Sequence, residues 1–186
     1  CQKLSFSNLD QTDLGAVLTA IGCKIEPSDE VSLSVLSKGS AGAACRLINS
    51  NCINLYRDIL NIASSLPNLN TNKILQLSQN YFAKAKPSEF EIFIEMMQHF
   101  FSRLCKTGVM QKPVLPSVTD NEAKIMKSLC PNLKSARLWS EAANISLAKL
   151  NKGYLLNIDI ESLIIDAFIY LEECYQTIYR TRITNE

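Results

Sequence analysis

The chain is 186 residues long and 47% hydrophobic, enough apolar material for one substantial core or a core with a small satellite. Nineteen Lys and Arg stand against eighteen Asp and Glu, a net charge of +1, so the global basic footprint of a dedicated nucleic-acid binder is lacking and only a local patch is left open. No stretch reaches the roughly eighteen consecutive apolar residues of a membrane span, and the N-terminus lacks the basic-then-apolar run of a signal peptide, so a soluble, cytoplasmic protein is the expectation.

The chain opens in mid-pattern at Cys1, with Cys1, Leu4, Phe6, Leu9, Leu14 and Leu18 spaced like the end of one domain running into the next. The back half of a larger protein is therefore expected. QKLSF alternates as a final strand or extended linker would. Three short helices follow: Gln11 to Ile21, stopped by Gly22; Asp29 to Leu36, ending near Gly39; and Ser40 to Ile48. Asn49, Ser50 and Asn51 make a polar break, and the domain boundary is placed there, separating residues 1–50 from 51–186.

Beyond the break the helical period dominates. INLYRDILNIASSL carries Ile53, Tyr56, Ile59, Leu60 and Ala63 on one stripe and ends at Pro67, and TNKILQLSQNYFAKA carries Ile74, Leu75, Leu77, Tyr81 and Phe82. SEFEIFIEMMQHFFSRLCKTG is the longest of the middle segments. Ser88-x-x-Glu91 predicts a capping box at its start and Gly108 a C-cap at its end, and its apolar residues cover more than one face, as in a helix contacted from several sides. TGVMQKPVLPSV, with two prolines, predicts an extended link. Thr119-x-x-Glu122 predicts a second capping box opening NEAKIMKSLC, which Pro131 closes. NLKSARLWSEAANISLAKLN then runs to near Gly153. Finally Asp159 is a suitable N-cap for a helix whose Ile160, Leu163, Ile164, Ala167, Phe168, Leu171, Cys174, Tyr175 and Ile178 form one stripe. The fold class is all-α, three short helices followed by a bundle of five or six.

Single residues offer little chemistry. Seven cysteines are an odd number with no C-x-x-C pair, and Cys45, Cys52, Cys105, Cys130 and Cys174 sit among apolar or helix-forming neighbours, so reduced thiols acting as small core hydrophobes are expected. His99, the one histidine, reads as packed or partly solvated, and no metal set or catalytic group is expected. Glu91 and Glu95 share a helix face as capping and surface charge. Lys124, Lys127, Lys134 and Arg137 read as a solvated face in preference to a nucleic-acid patch, because base-stacking aromatics are not interleaved with them. Trp139 is either a core anchor, the preferred reading, or an interface hot spot.

The pattern C-x-x-L-x-F-x-x-L before a helix, the turn KGSAGAACRLINS, LYRDILNIASSLP, the LCKTG segment and the final NIDIESLIIDAFIYLEE together resemble a known family. They are similar to the C-terminal part of delta-prime subunits of the bacterial DNA polymerase III clamp loader, of the AAA+ clamp-loader family, alphaproteobacterial type. The resemblance runs over essentially the whole chain and rests on the order of these segments more than on any one of them.

It implies that residues 1–50 hold the end of an AAA+ core and a three-helix lid, and that residues 51–186 form a collar domain holding subunits in a ring. Cys1 would match the last residue of the family's Ser-Arg-Cys motif, whose arginine reaches ATP on a neighbouring subunit and would lie upstream of this chain. Gly39, Ser40 and Gly42 would form a degenerate sensor-like lid turn: Gly42 stands where motor subunits have an arginine that senses phosphate, and Arg46 is about one helical turn further on. Loss of that cation disfavours ATP binding and hydrolysis. Read without the family, the same three residues are a helix stop, an N-cap and a tight turn. The implied function is that of a non-catalytic stator, without a cofactor, in a complex that loads the sliding clamp onto primed DNA for replication. Its partners would be the motor and delta subunits, with DNA met only through the whole complex and no membrane. A free-standing helical adaptor is the alternative, and an enzyme fragment finds no supporting constellation of residues.

Overall fold

The computed structural model of the chain describes residues 7–82 and 87–183, and it is all-helical with no strand among the described residues. The expected strand QKLSF, and Cys1 with it, lies outside the described residues. α1 (Gln11–Ala20), α2 (Glu30–Ser37) and α3 (Ala41–Ile48) are short, and all three pack on one another. Asp10 caps α1 by accepting from the Asp13 N–H at 2.8 Å. Leu14, Leu18, Leu33, Leu36, Ala44 and Leu47 turn inward and are almost wholly buried, an aliphatic core drawn from the apolar positions of these three helices.

Six longer or flanking helices follow: α4 (Cys52–Ala63), α5 (Thr71–Phe82), α6 (Pro87–Met110), α7 (Glu122–Leu129), α8 (Leu133–Leu155) and α9 (Ile160–Ile183). The polar break Asn49–Asn51 is a tight turn with Asn51 in the left-handed region, and α4 leaves it directly. α6 touches α4, α5, α7 and α8, which explains why apolar residues ring it. Phe90, Phe93, Phe100 and Phe101 are all buried along it, and Phe82, Trp139 and Phe168 close around them from α5, α8 and α9. α8 and α9 are joined by a short turn after Leu155, which makes them antiparallel neighbours, and Asp159 caps α9 through Ser162 at 2.9 Å.

The capping box expected at Ser88 rests on a side chain that lies outside the described residues. Two local expectations change. Gly108 does not end α6. The helix runs on to Met110 and stops at Gln111, which takes φ 54°. A Cβ on Gly108 would overlap Cys130 Sγ and stand 3.0 Å from Ala136 Cβ, so this glycine is there to let the segment around Cys130 and the start of α8 approach α6 closely. α8 ends at Leu155, near Gly153 as its sequence predicts.

The second change concerns Thr119 and Glu122. α7 begins at Glu122, with Asn121 ahead of it, and Glu122 turns into the protein with 1% of its surface exposed. Its Oε2 accepts from the Val118 N–H at 2.7 Å and not from Thr119. A carboxylate buried this deeply needs a counter-charge and several donors, and α6 and α4 supply them.

Candidate functional site

Two places collect the chemistry of the molecule: the turn between α2 and α3, and the junction where α2, α6 and the 111–121 segment meet.

At the turn, Lys38 and Gly39 both take left-handed backbone angles, φ 52° and 71°. Gly39 is buried against the incoming chain: Leu9 N–H donates to the Gly39 carbonyl at 3.0 Å, and a Cβ on Gly39 would overlap Leu9 O. Ser40 then takes an extended conformation and its Oγ accepts from the Ala43 N–H at 3.3 Å, an N-cap for α3. Gly42 is exposed with open space around its Cα. These are the features of a helix stop, a cap and a tight turn. Arg46 points elsewhere, to Glu95 on α6 at 2.7 Å, which gives both residues a structural task. With half of the Arg46 side chain in solvent, that pair ties α3 to α6 only weakly.

The junction is the more strongly built. Glu122 receives the Tyr56 hydroxyl at 2.7 Å and the Arg103 guanidinium through both Nε and Nη2, the latter at 3.0 Å. Arg103 Nη2 also donates to the carbonyls of Val114 and Pro116, each at 2.8 Å. One buried arginine thus fixes the loop predicted as an extended link, which contains a cis Leu115–Pro116 bond. Burial first, then the Glu122 carboxylate, pushes the Tyr56 phenol well above its ordinary value and keeps it a donor. Ser32 on α2 adds a bond from its Oγ to the Val118 carbonyl at 2.7 Å, which brings the short helices into the network. Every side chain in it is satisfied, so its evident work is to hold elements together.

His99 sits beside this seam, buried on α6 next to α2. Burial, then the charges of Lys38 and Arg103, lower its pKa to about 4, so the ring is neutral at physiological pH. Trp139 is fully buried: its Nε1 donates to the Leu129 carbonyl at 3.0 Å and its ring packs on Phe101. It presents no surface to a partner, which removes it as an interface candidate and makes it a core anchor. Lys124, Lys127, Lys134 and Arg137 are all exposed on α7 and α8, a solvated face. Glu95 pairs with Arg46, while Glu91 is exposed and lies near the Tyr154 phenol, whose pKa burial and then Glu91 raise.

The outer surface of α8 and α9 is different in character. Ile145, Leu155, Leu156, Ile158, Ile169 and Tyr179 are exposed there, with Leu155 and Leu156 at 79% and 63%. A shallow groove of about 290 Å³ runs between the two helices, lined by Leu138, Ile145, Tyr170 and Ile178 and bordered by Glu141 and Glu173. The inward stripe of α9 is legible in the sequence, and Leu138, Ala142, Ile145 and Leu147 read as apolar positions of α8, of which Ile145 is exposed; Leu156 and Ile158 lie beyond the end of α8, where helical period carries no information. The buried roles of Arg103 and Glu122 also escaped it: Glu122 fits a capping box as well as it fits a buried partner.

No helix among the described residues is long and apolar enough to cross a membrane. Comparison of the chain with protein-family models, with curated proteins and with solved structures finds no match.

Proposed function

We propose that the chain is a non-catalytic assembly module of the lid-and-collar kind found in delta-prime subunits of bacterial clamp loaders, with α1–α3 in the place of the lid and α4–α9 in the place of the collar. The observation that carries the reading is the apolar outer surface of α8, α9 and their connecting turn, where Leu155, Leu156, Ile158, Ile145 and Ile169 stand in solvent. Large apolar side chains left in solvent on these two helices and their connecting turn suit a contact with neighbouring protein. The order of three short helices and a long-helix bundle, and the capped turn at Gly39 and Ser40 with no arginine at position 42, also support it.

In this reading the bundle presents its outer helices to the motor and delta subunits, and ATP and DNA are handled elsewhere in the ring. Native mass spectrometry of the chain alone, and then mixed with motor and delta subunits, tests it. A stable hetero-oligomer containing one copy of this chain is expected, and Leu155→Asp together with Ile158→Asp should weaken it at least about tenfold. Failure to associate, or saturable ATP turnover by the pure chain, overturns it. The groove bordered by Glu141 and Glu173 favours one other reading, a free-standing adaptor that takes a helix of another protein between α8 and α9.

A further inference from the structure

We propose that Cys23 and Cys45 form a redox-responsive dithiol, which closes to an intrachain disulfide stapling the α1–α2 loop to α3 when the protein meets a peroxide. The proposal stands on the geometry of α1–α3 and is independent of the assembly reading.

The two sulfurs are 3.6 Å apart, in van der Waals contact, so closure to the roughly 2.0 Å of a disulfide asks for a small side-chain movement. Both positions are held by backbone structure. Gly22, at φ 79°, ends α1 in a Schellman arrangement: its N–H donates to the Thr19 carbonyl at 3.0 Å and the Cys23 N–H to the Leu18 carbonyl at 2.9 Å. Cys23 is therefore fixed to the end of α1 and does not ride on a loose loop. Cys45 lies in the middle of α3, between the buried Ala44 and the exposed Arg46.

Cys23 and Cys45 are half-buried and open to a small oxidant, as are Cys105 and Cys174, whereas Cys52 and Cys130 are buried and burial pushes their thiols up to about 12. What distinguishes Cys23 and Cys45 from the other half-buried thiols is that their two sulfurs touch. Among the described residues no third His, Cys, Asp or Glu joins the two sulfurs in a group suited to a metal ion. The arrangement is that of a dithiol whose partner thiol is already in place.

The chemistry balances with hydrogen peroxide as oxidant. The Cys23 thiolate attacks one peroxide oxygen, the O–O bond breaks, and hydroxide leaves and is protonated to water, giving a sulfenic acid. Cys45 then attacks the Cys23 sulfur, the S–O bond breaks, the Cys45 proton is lost and a second water departs. The two thiols together give up two electrons and the peroxide is reduced to two waters. Contact with Cys23 raises the Cys45 thiol and so lowers its thiolate fraction, which disfavours Cys45 as the thiol that meets the peroxide first.

Trypsin digestion without reduction reads the product directly, because residues 4–24 and residues 39–46 are separate tryptic peptides with one cysteine each. After peroxide treatment of the folded full chain, the linked pair of these peptides is expected to dominate. The free-thiol titre should fall by two, and the thermal midpoint should rise by about 5 °C. Cys23→Ser and Cys45→Ser should each abolish both the linked pair and the rise. In a glutathione redox buffer, closure of the folded chain should be favoured at least about tenfold over closure in urea. Equal closure in urea, or separate sulfinic acids on Cys23 and Cys45 of the folded chain, overturns the proposal.

Discussion

The helices α1–α3 and the bundle α4–α9 bury their cores in different materials. The short helices meet through leucines and alanines, with no aromatic ring among their buried residues, while the bundle is built on a run of phenylalanines along α6, with Tyr56, Trp139 and Phe168 around it. Helices of eight to ten residues bring little cooperative stability of their own, whereas α6, α8 and α9 run for more than twenty residues each. The two regions meet at α3 and α4, at the Arg46–Glu95 pair and at Ser32 against Val118. The contrast teaches where local opening is to be sought: the short helices have the shallower core and few ties, and should open before the bundle does.

Substitutions can break this contrast or sharpen it. Trp139→Ala removes the largest fully buried side chain and leaves the Leu129 carbonyl without its donor, and should cost about 3–5 kcal/mol in denaturant unfolding, expressed across the bundle. Glu122→Ala strands the buried Arg103 guanidinium and should cost about 3 kcal/mol. The 111–121 segment should then lose amide protection first, and protection unchanged there would show that Arg103 finds other partners. Gly39→Ala forces a left-handed angle on a Cβ that meets Leu9, and should cost about 1–3 kcal/mol. Hydrogen exchange should place that loss in residues 7–48 alone; equal loss in α6 and α8 would mean that both regions unfold as one unit.

The seam between the regions carries a pH dependence. His99 has a folded pKa of about 4 against an ordinary 6.5, so the unfolded chain binds the extra proton between those values. The stability contribution of neutral His99 is therefore complete above pH 6.5 and lost as pH falls toward 4, by repulsion from Lys38, Arg103 and Lys106 as well as by burial of charge. His99→Gln should flatten this part of the profile of thermal midpoint against pH. The smallest effect belongs to Arg46→Ala, at no more than about 1 kcal/mol, because half of the Arg46 side chain stands in solvent.

Much of the fold is legible in the chain, and the reasons are local. Asp10, Ser40, Asn132 and Asp159 start helices by capping them, and Gly22 stops one, all through bonds within a few residues. The errors have a common cause. Gly108 resembles a helix stop because glycine often is one, yet its role is set by Cys130 and Ala136, which lie more than twenty residues further along the chain. Glu122 matches a capping pattern, yet Arg103 and Tyr56 decide its place, and these arrive from two other helices. Cys23 and Cys45 stand far apart in sequence and carry no motif, so their contact belongs to tertiary structure alone. The candidate surface on α8 and α9 is half legible: the inward stripe predicts which face is buried, and it cannot predict that the last residue of α8, Leu155, and the turn residues Leu156 and Ile158 stand in water.

Val118 is held from both sides: its carbonyl accepts from Ser32 on α2, and its N–H donates to Glu122 at the start of α7. A single peptide residue therefore acts as a rivet in a load path that runs from α2 through Glu122 to Arg103 in the body of α6. A pull that swings the short helices away from the bundle must strain this rivet, and the strain passes through Glu122 to an arginine that also holds the Val114 and Pro116 carbonyls.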